Sequence, residues 1–287
     1  MRGVAPGKVN LCLRLGAPRD DGLHELVSAV QAVSLVDELT LEPGDGPEDE
    51  VVCPEVDGEN LAARALAAYR KVSHWDAPPQ RLTISKHVPI GGGMGGGSSD
   101  AAAALRLAAT AAGRADDPLL ARLAAALGAD VPALLRPGLK LVTGAGEHVR
   151  GLHDIERFWL IVLPLRERLS TSDVYAEADR LGLSRPASEL DAAARELEDA
   201  LGHGGTLPVE ILGNDLEPAA RSLCPAIDDA LGALRAAGAE AAMVSGSGPT
   251  TFGVFRTWSE GVAGAAAELA LDGRFADAVV AYPFAKA

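Results

Sequence analysis

Cysteine, aromatic rings and positive charge are all scarce in this chain of 287 residues. The three cysteines (Cys12, Cys53, Cys224) are odd in number and widely scattered, which argues against a disulfide framework and for a reducing compartment. Aromatic residues make up only 4%, so alanine and leucine carry the apolar content and favour helix packing over a large β-sandwich. Lys and Arg number 26 against 40 Asp and Glu, a net charge of −14. That balance argues against nucleic acid as a partner, because a phosphate backbone needs basic surface. No run approaches the roughly twenty apolar residues of a membrane span, and the opening MRGVAPGKVN holds no hydrophobic signal core. The expectation is a soluble, cytoplasmic protein with no membrane partner. A nucleotide stays allowed, since it needs only local donors and one or two cations.

What the chain has in excess is glycine at one place. Residues 89–103 read PIGGGMGGGSSDAAA. Six glycines (Gly91, Gly92, Gly93, Gly95, Gly96, Gly97) surround Met94 and lead through Ser98, Ser99 and Asp100 into alanines. Alanine favours helix, and serine and aspartate are capping residue types. A loop so poor in side chains exposes its backbone N–H groups, and at a helix N-terminus these add to the positive end of the dipole. The pattern predicts a phosphate seat.

Other phosphate loops fit less well. A P-loop needs a Lys after its glycines, and none follows here. Gly91, Gly93 and Gly96 match G-x-G-x-x-G, but almost any glycine tract does, and the acid-ended second strand of a dinucleotide fold is not readable downstream. The protein-kinase strings H-R-D and D-F-G do not occur. A flexible linker is the bland alternative, against which stand the strand-like run before the loop and the alanine-rich run after it.

Along the chain, residues 9–15 alternate, with Val9, Leu11, Leu13 and Leu15 on one strand face and Lys8, Asn10, Cys12 and Arg14 on the other. Further strands are predicted at 32–42, 81–87, 159–163 and 276–282, with two more flanking 245–248. Helices are predicted at 60–72, 98–112, 118–127 (capped by Asp117), 171–181, 187–201, 225–237 and 259–271. The length suits two domains, divided as 1–155 and 156–287.

Phosphoryl transfer needs a cation near the moving group and a polar group at the acceptor hydroxyl. Lys8 is one candidate and Asp130 the other, although Asp130 also reads as a cap for the helix that follows. Ser245-Gly-Ser-Gly248 has the plainer reading of a hairpin loop, and Tyr175 that of a ring packed by its own helix.

P-x-G-G-G-x-G-G-G-S-S-D-A-A resembles the ATP-binding motif of the GHMP kinases. The doubled triplet, together with A-P-G-K-V-N-L at 5–11 and L-G-A-D-V-P at 127–132, is most similar to the CDP-methylerythritol kinases among them. The resemblance runs from Ala5 to Gly253 with the motifs in family order. It implies an α+β, two-domain GHMP kinase fold, with a ribosomal protein S5 domain 2-like N-terminal domain and a ferredoxin-like C-terminal domain. It implies ATP and Mg²⁺, with a cytidine diphosphate-linked polyol as acceptor. Pro89, Ile90, residues 91–97 including Met94, Ser98 and Ser99 would hold ATP, and Ser99 would also meet the metal. Lys8 and Asp130 would form the catalytic pair. Arg19 to Leu26 resembles R-x-D-G-[YF]-H-x-L, so His24 would hydrogen-bond the cytosine, but Leu23 replaces the aromatic that stacks on it. Tyr175, in a segment opening at Thr171, would supply the other stacking face. Asn10, Thr171 and Gly248 would complete the acceptor side. Another GHMP kinase of mevalonate or homoserine type, or a nucleotide binder without catalysis, stays open as the alternative.

Overall fold

The computed structural model describes residues 1–115, 118–257 and 260–284. Asp117, predicted to cap a helix, and Ser259, predicted to open one, lie outside the described residues. In chain order the elements are β1 (Arg2–Pro18), β2 (His24–Pro43), β3 (Glu50–Val52), α1 (Leu61–Ser73), β4 (Gln80–Ser85), α2 (Gly96–Ala111), α3 (Leu119–Leu127), α4 (Val131–Leu135), β5 (Leu139–Gly144) and β6 (His148–Gly151). There follow β7 (Trp159–Leu163), α5 (Thr171–Leu181), α6 (Ala187–Leu201), β8 (Gly213–Asn214), α7 (Glu217–Leu223), α8 (Ala226–Ala236), β9 (Ala241–Val244), β10 (Thr251–Phe255), α9 (Glu260–Leu271) and β11 (Val279–Ala281). None of the described helices is long and apolar enough to cross a membrane.

The chain divides into two compact units, and its two longest strands give residues to both. The first unit comprises Met1–Gly7, Leu35–Ile90 and Gly95–Pro137. Its strands pair antiparallel between β2 and β4 (Leu39 opposite Ile84) and parallel between β3 and β4 (Val51 opposite Leu82). Leu39, Leu41, Leu82 and Ile84 turn inward against the helices. Ala101, Ala102, Ala103 and Ala104 of α2 are all buried. A helix apolar on every side must sit inside, and its small residues let α1 pack close. Asn60 accepts the Ala62 N–H at 2.9 Å and so caps α1.

The second unit comprises Lys8–Ser34, Gly91–Met94 and Gly138–Ala287. Here β2 pairs antiparallel with β5 (Ala29 opposite Leu141), β5 with β6, and β1 runs parallel to β8 through Cys12 and Leu13. A second sheet of four strands has the order β11-β7-β10-β9, antiparallel throughout. Ile161 and Leu163 of β7 pack with Ala230 and Leu234 of α8 and with Val262 and Ala266 of α9. Another cluster joins Leu13 and Leu15 to Val174 and Ala178 of α5 and to Ala219 and Ala220 of α7.

Candidate active site

Both faces of β1 are covered where the alternation was read. Val9 and Leu11 are fully buried, and Lys8 and Asn10 are nearly so at 4% and 5% exposure. A buried ammonium is tolerable only with hydrogen-bond partners. Lys8 Nζ donates to Asn10 Oδ1 at 2.7 Å, Asn10 Nδ2 donates to Ser28 Oγ at 2.8 Å, and Ser28 Oγ donates to the Cys12 carbonyl at 2.6 Å. This relay leaves the Asn10 amide one orientation, oxygen towards Lys8.

The first part of the glycine loop rests on the same strand, because the Lys8 N–H donates to the Met94 carbonyl at 2.9 Å. The Met94 side chain is fully buried, so it anchors the loop and only its backbone is available to a ligand. Gly93 has φ +78, and a Cβ there would lie 2.1 Å from the Ser245 carbonyl oxygen. Only glycine fits such a contact. Ser245 Oγ in turn donates to the Gly93 carbonyl at 3.1 Å.

Gly246, at φ +58, completes the approach. A Cβ on it would meet Lys8 Nζ at 3.0 Å, Gly93 O at 3.2 Å and Asn10 Oδ1 at 3.3 Å. The stretch 245–248 is a loop between β9 and β10, as read, and it also holds this junction. Asn214 secures it by donating from Nδ2 to the carbonyls of Val244 (2.9 Å) and Gly246 (2.7 Å). Its Oδ1 accepts the Leu216 N–H, so turn capping is only part of its work. Gly248 has φ +78 and its N–H returns to Ser245 O at 2.9 Å, while Thr171 Oγ1 and Ser247 Oγ lie 3.1 Å apart.

In the first unit, α2 begins two residues before the predicted 98. Gly95, at φ +66, occupies the N-cap position without a side-chain cap, so Ser98, Ser99 and Asp100 stand inside the first turns. Pro89 and Ser98 are half-buried and Ile90 is exposed. Ser99 is fully buried, and among the described residues its Oγ has no hydrogen-bond partner. Asp100 turns to Lys86, whose Nζ donates to both Asp100 and Asp37. Asp37 Oδ1 also accepts the N–H groups of His87 and Val88, at 2.6 and 2.8 Å. Burial pushes the Asp100 carboxyl up to about 7, the Lys86 ammonium opposes that shift, and the second carboxylate adds to it. Burial works to lower Lys86, but its two carboxylates outweigh this and raise it. Nothing in the sequence reading pointed to Asp37 or Lys86. The one local signal is a lysine three residues before the Pro89 that opens the loop.

Asp130 is exposed at the N-cap position of α4, yet its side chain makes no capping hydrogen bond, so the capping reading does not account for it. It belongs to the first unit and Lys8 to the second.

The nucleoside-side residues meet within the second unit. His24 is 8% exposed and its ring centroid lies 5.0 Å from that of Tyr175, the planes inclined at 50°. Its Nε2 lies 2.8 Å from Asp179 Oδ1, a partner one helical turn beyond Tyr175 that the sequence reading did not include. Leu23 is 53% exposed, at the end of a turn in which Asp21 Oδ1 accepts the Leu23 N–H.

Two families match the chain, GHMP kinases N terminal domain over residues 60–138 and GHMP kinases C terminal over residues 188–270. The 4-diphosphocytidyl-2-C-methyl-D-erythritol kinase of Streptomyces avermitilis is 42% identical over 255 residues, 86% of this chain and 84% of that protein. The protein of the same name from Streptomyces coelicolor is 44% identical over 262 residues, with the same coverage. A crystal structure of a 4-(cytidine 5'-diphospho)-2C-methyl-D-erythritol kinase superposes with a TM-score of 0.78 at 32% identity, covering 99% of this chain and 100% of that one. Homoserine kinase from Cytophaga hutchinsonii superposes at 0.70 with 17% identity, a likeness of fold alone. The two-domain GHMP kinase fold is therefore the fold of this protein, and the chain belongs to the 4-diphosphocytidyl-2-C-methyl-D-erythritol kinase family.

Proposed function

We propose that this enzyme transfers the γ-phosphoryl group of ATP to the 2-hydroxyl of 4-diphosphocytidyl-2-C-methyl-D-erythritol. The products are the 2-phosphate and ADP, in the non-mevalonate route to isoprenoid precursors. One observation carries the reading: within a single compact unit, a Cβ on Gly246 would lie 3.0 Å from the Lys8 ammonium and 3.2 Å from the Gly93 carbonyl. Three segments far apart in sequence thus converge, which supports a site that offers a transferring phosphoryl backbone donors and a cation.

In this reading the backbone of residues 91–97 and the N-terminus of α2 hold the ATP phosphates, with Pro89, Ile90 and Ser98 at the margins. The acceptor oxygen attacks the γ-phosphorus, the bond to the β-phosphate oxygen breaks, and ADP departs. Lys8 offsets charge on the moving group, and the Asn10 relay keeps its ammonium in place. Asp130 orients the acceptor hydroxyl and takes its proton. A carboxylate is a weak base for an alcohol, so orientation is the larger part of that role. Thr171 and Gly248 border the acceptor, while His24 and Tyr175 meet the cytosine. The domain division at 155/156 belongs to the same proposal.

Mg²⁺ is part of it too. Among the described residues no group of three or more His, Cys, Asp or Glu is placed to hold a metal. That suits an ion carried largely by phosphates and waters with one or two protein oxygens. The Ser99 hydroxyl, buried with its hydrogen-bonding capacity unspent, fits as a hard-oxygen ligand. Mg²⁺ supplies charge neutralisation on the phosphate oxygens.

Phosphorus NMR of the product tests the assignment. A new phosphomonoester on the 2-carbon oxygen, with the diphosphate link intact, supports it. Phosphate at another hydroxyl, or cleavage of the diphosphate, contradicts it.

A further inference from the structure

We infer that Asp179 is a positioning residue for base recognition, setting the tautomer in which His24 meets the nucleobase and so favouring cytosine over uracil. The inference rests on the proposal that His24 reads the base.

Tyr175 and Asp179 stand four residues apart on α5 and therefore share a helix face. Both reach the same imidazole, Tyr175 by its ring at 5.0 Å and Asp179 by Oδ1 at 2.8 Å from Nε2. The ring is thus fixed at two points and nearly buried, so it cannot swing to offer Nε2 elsewhere. An ionised carboxylate only accepts hydrogen bonds. In neutral His24 the proton must then sit on Nε2, and Nδ1 keeps a lone pair. Among the described residues no hydrogen bond is made to Nδ1.

That lone pair has a consequence for base choice. Position 4 of cytosine carries an amino group, a donor, whereas position 4 of uracil carries a carbonyl oxygen, an acceptor. An acceptor at Nδ1 pairs with the first and opposes the second. A site built around such a hydrogen bond discriminates strongly, because the wrong partner leaves a polar group unpaired. Leu23 strengthens the case. With no aromatic at that position, less of the binding comes from stacking and more from the edge of the base.

The test compares the cytidyl substrate with its uridyl analogue, for the wild type, Asp179→Ala and Asp179→Asn. Asp179 is half-exposed, so both variants should fold, and the melting temperature checks this. Wild type should prefer the cytidyl compound. Asp179→Ala should raise KM for it with kcat little changed, and both variants should reduce the cytidyl-to-uridyl ratio of kcat/KM by roughly tenfold, the loss of one charge-assisted hydrogen bond. Nitrogen NMR of the ligand-free enzyme should show the His24 proton on Nε2 in the wild type and a mixture in Asp179→Ala. A wild type active on the cytidyl compound, with variant ratios within about twofold of its own, overturns the role of Asp179 and leaves the kinase assignment standing. An Nδ1–H tautomer in the wild type overturns it as well. A wild type that turns over neither compound overturns the kinase assignment and this inference together.

Discussion

The backbone of Gly93 lies against the carbonyl of Ser245, so close that a single added carbon would stand 2.1 Å from that oxygen. Gly91, two residues earlier, has the same left-handed backbone (φ +69) but nothing within 4 Å of its missing Cβ. The pair separates backbone strain from a clash. Gly91→Ala should cost only the left-handed penalty, about 1–2 kcal/mol, or roughly tenfold in kcat/KM for ATP. Gly93→Ala must also displace backbone and should lose on the order of a hundredfold or more. Steady-state kinetics at varied ATP check the ranking.

Asn214 should matter through its two donors. Asn214→Ala leaves the Val244 and Gly246 carbonyls without them and should cost about 1–3 kcal/mol of stability, read from a denaturant midpoint. Asn214→Asp should be worse than alanine, because it sets a charged acceptor against two carbonyl oxygens.

Asp100 gives a pH signature. Burial holds its folded carboxyl up at about 7, above the ordinary 3.8 of an aspartate. Between those values the folded chain keeps a proton that the unfolded chain releases, so stability is full below about pH 4 and declines as pH rises towards 7. Asp100→Asn cannot release that proton and should flatten the decline. Melting temperatures across pH 4–8 check the sign.

Leu23→Tyr should restore the missing stacking face. An aromatic pair adds about 0.5–1.5 kcal/mol beyond area burial, so KM for the cytidyl substrate should fall roughly twofold to tenfold. KM for ATP should stay constant.

Much of this was legible in the sequence, and the misses share a cause. Helices α5 and α6 occupy residues 171–181 and 187–201 as predicted, because their apolar periodicity is local. Strand β1 was read only at 9–15, since Gly3, Pro6 and Gly7 disguise its first residues. Strand β2 begins at His24, eight residues before the predicted 32. Lys8, Asn10 and the glycine loop announced themselves by motif. Lys86 and Asp37 could not, because their contact closes across 49 positions and no pattern in one strand foretells a partner in another. Asp179 was hidden differently: a carboxylate on an exposed helix face is ordinary until His24 is found beside it.

Asp130→Asn should keep the side-chain shape while removing the charge, and kcat should fall by about 10²–10⁴ with KM for ATP little altered. Unchanged kcat would remove Asp130 from the transfer step.

The central claim is tested most directly by measuring kcat/KM for ATP-dependent phosphorylation of 4-diphosphocytidyl-2-C-methyl-D-erythritol beside mevalonate and homoserine. The account predicts turnover of the cytidyl compound and none of the other two above background. Turnover confined to mevalonate or homoserine, or transfer to none of the three, would contradict it.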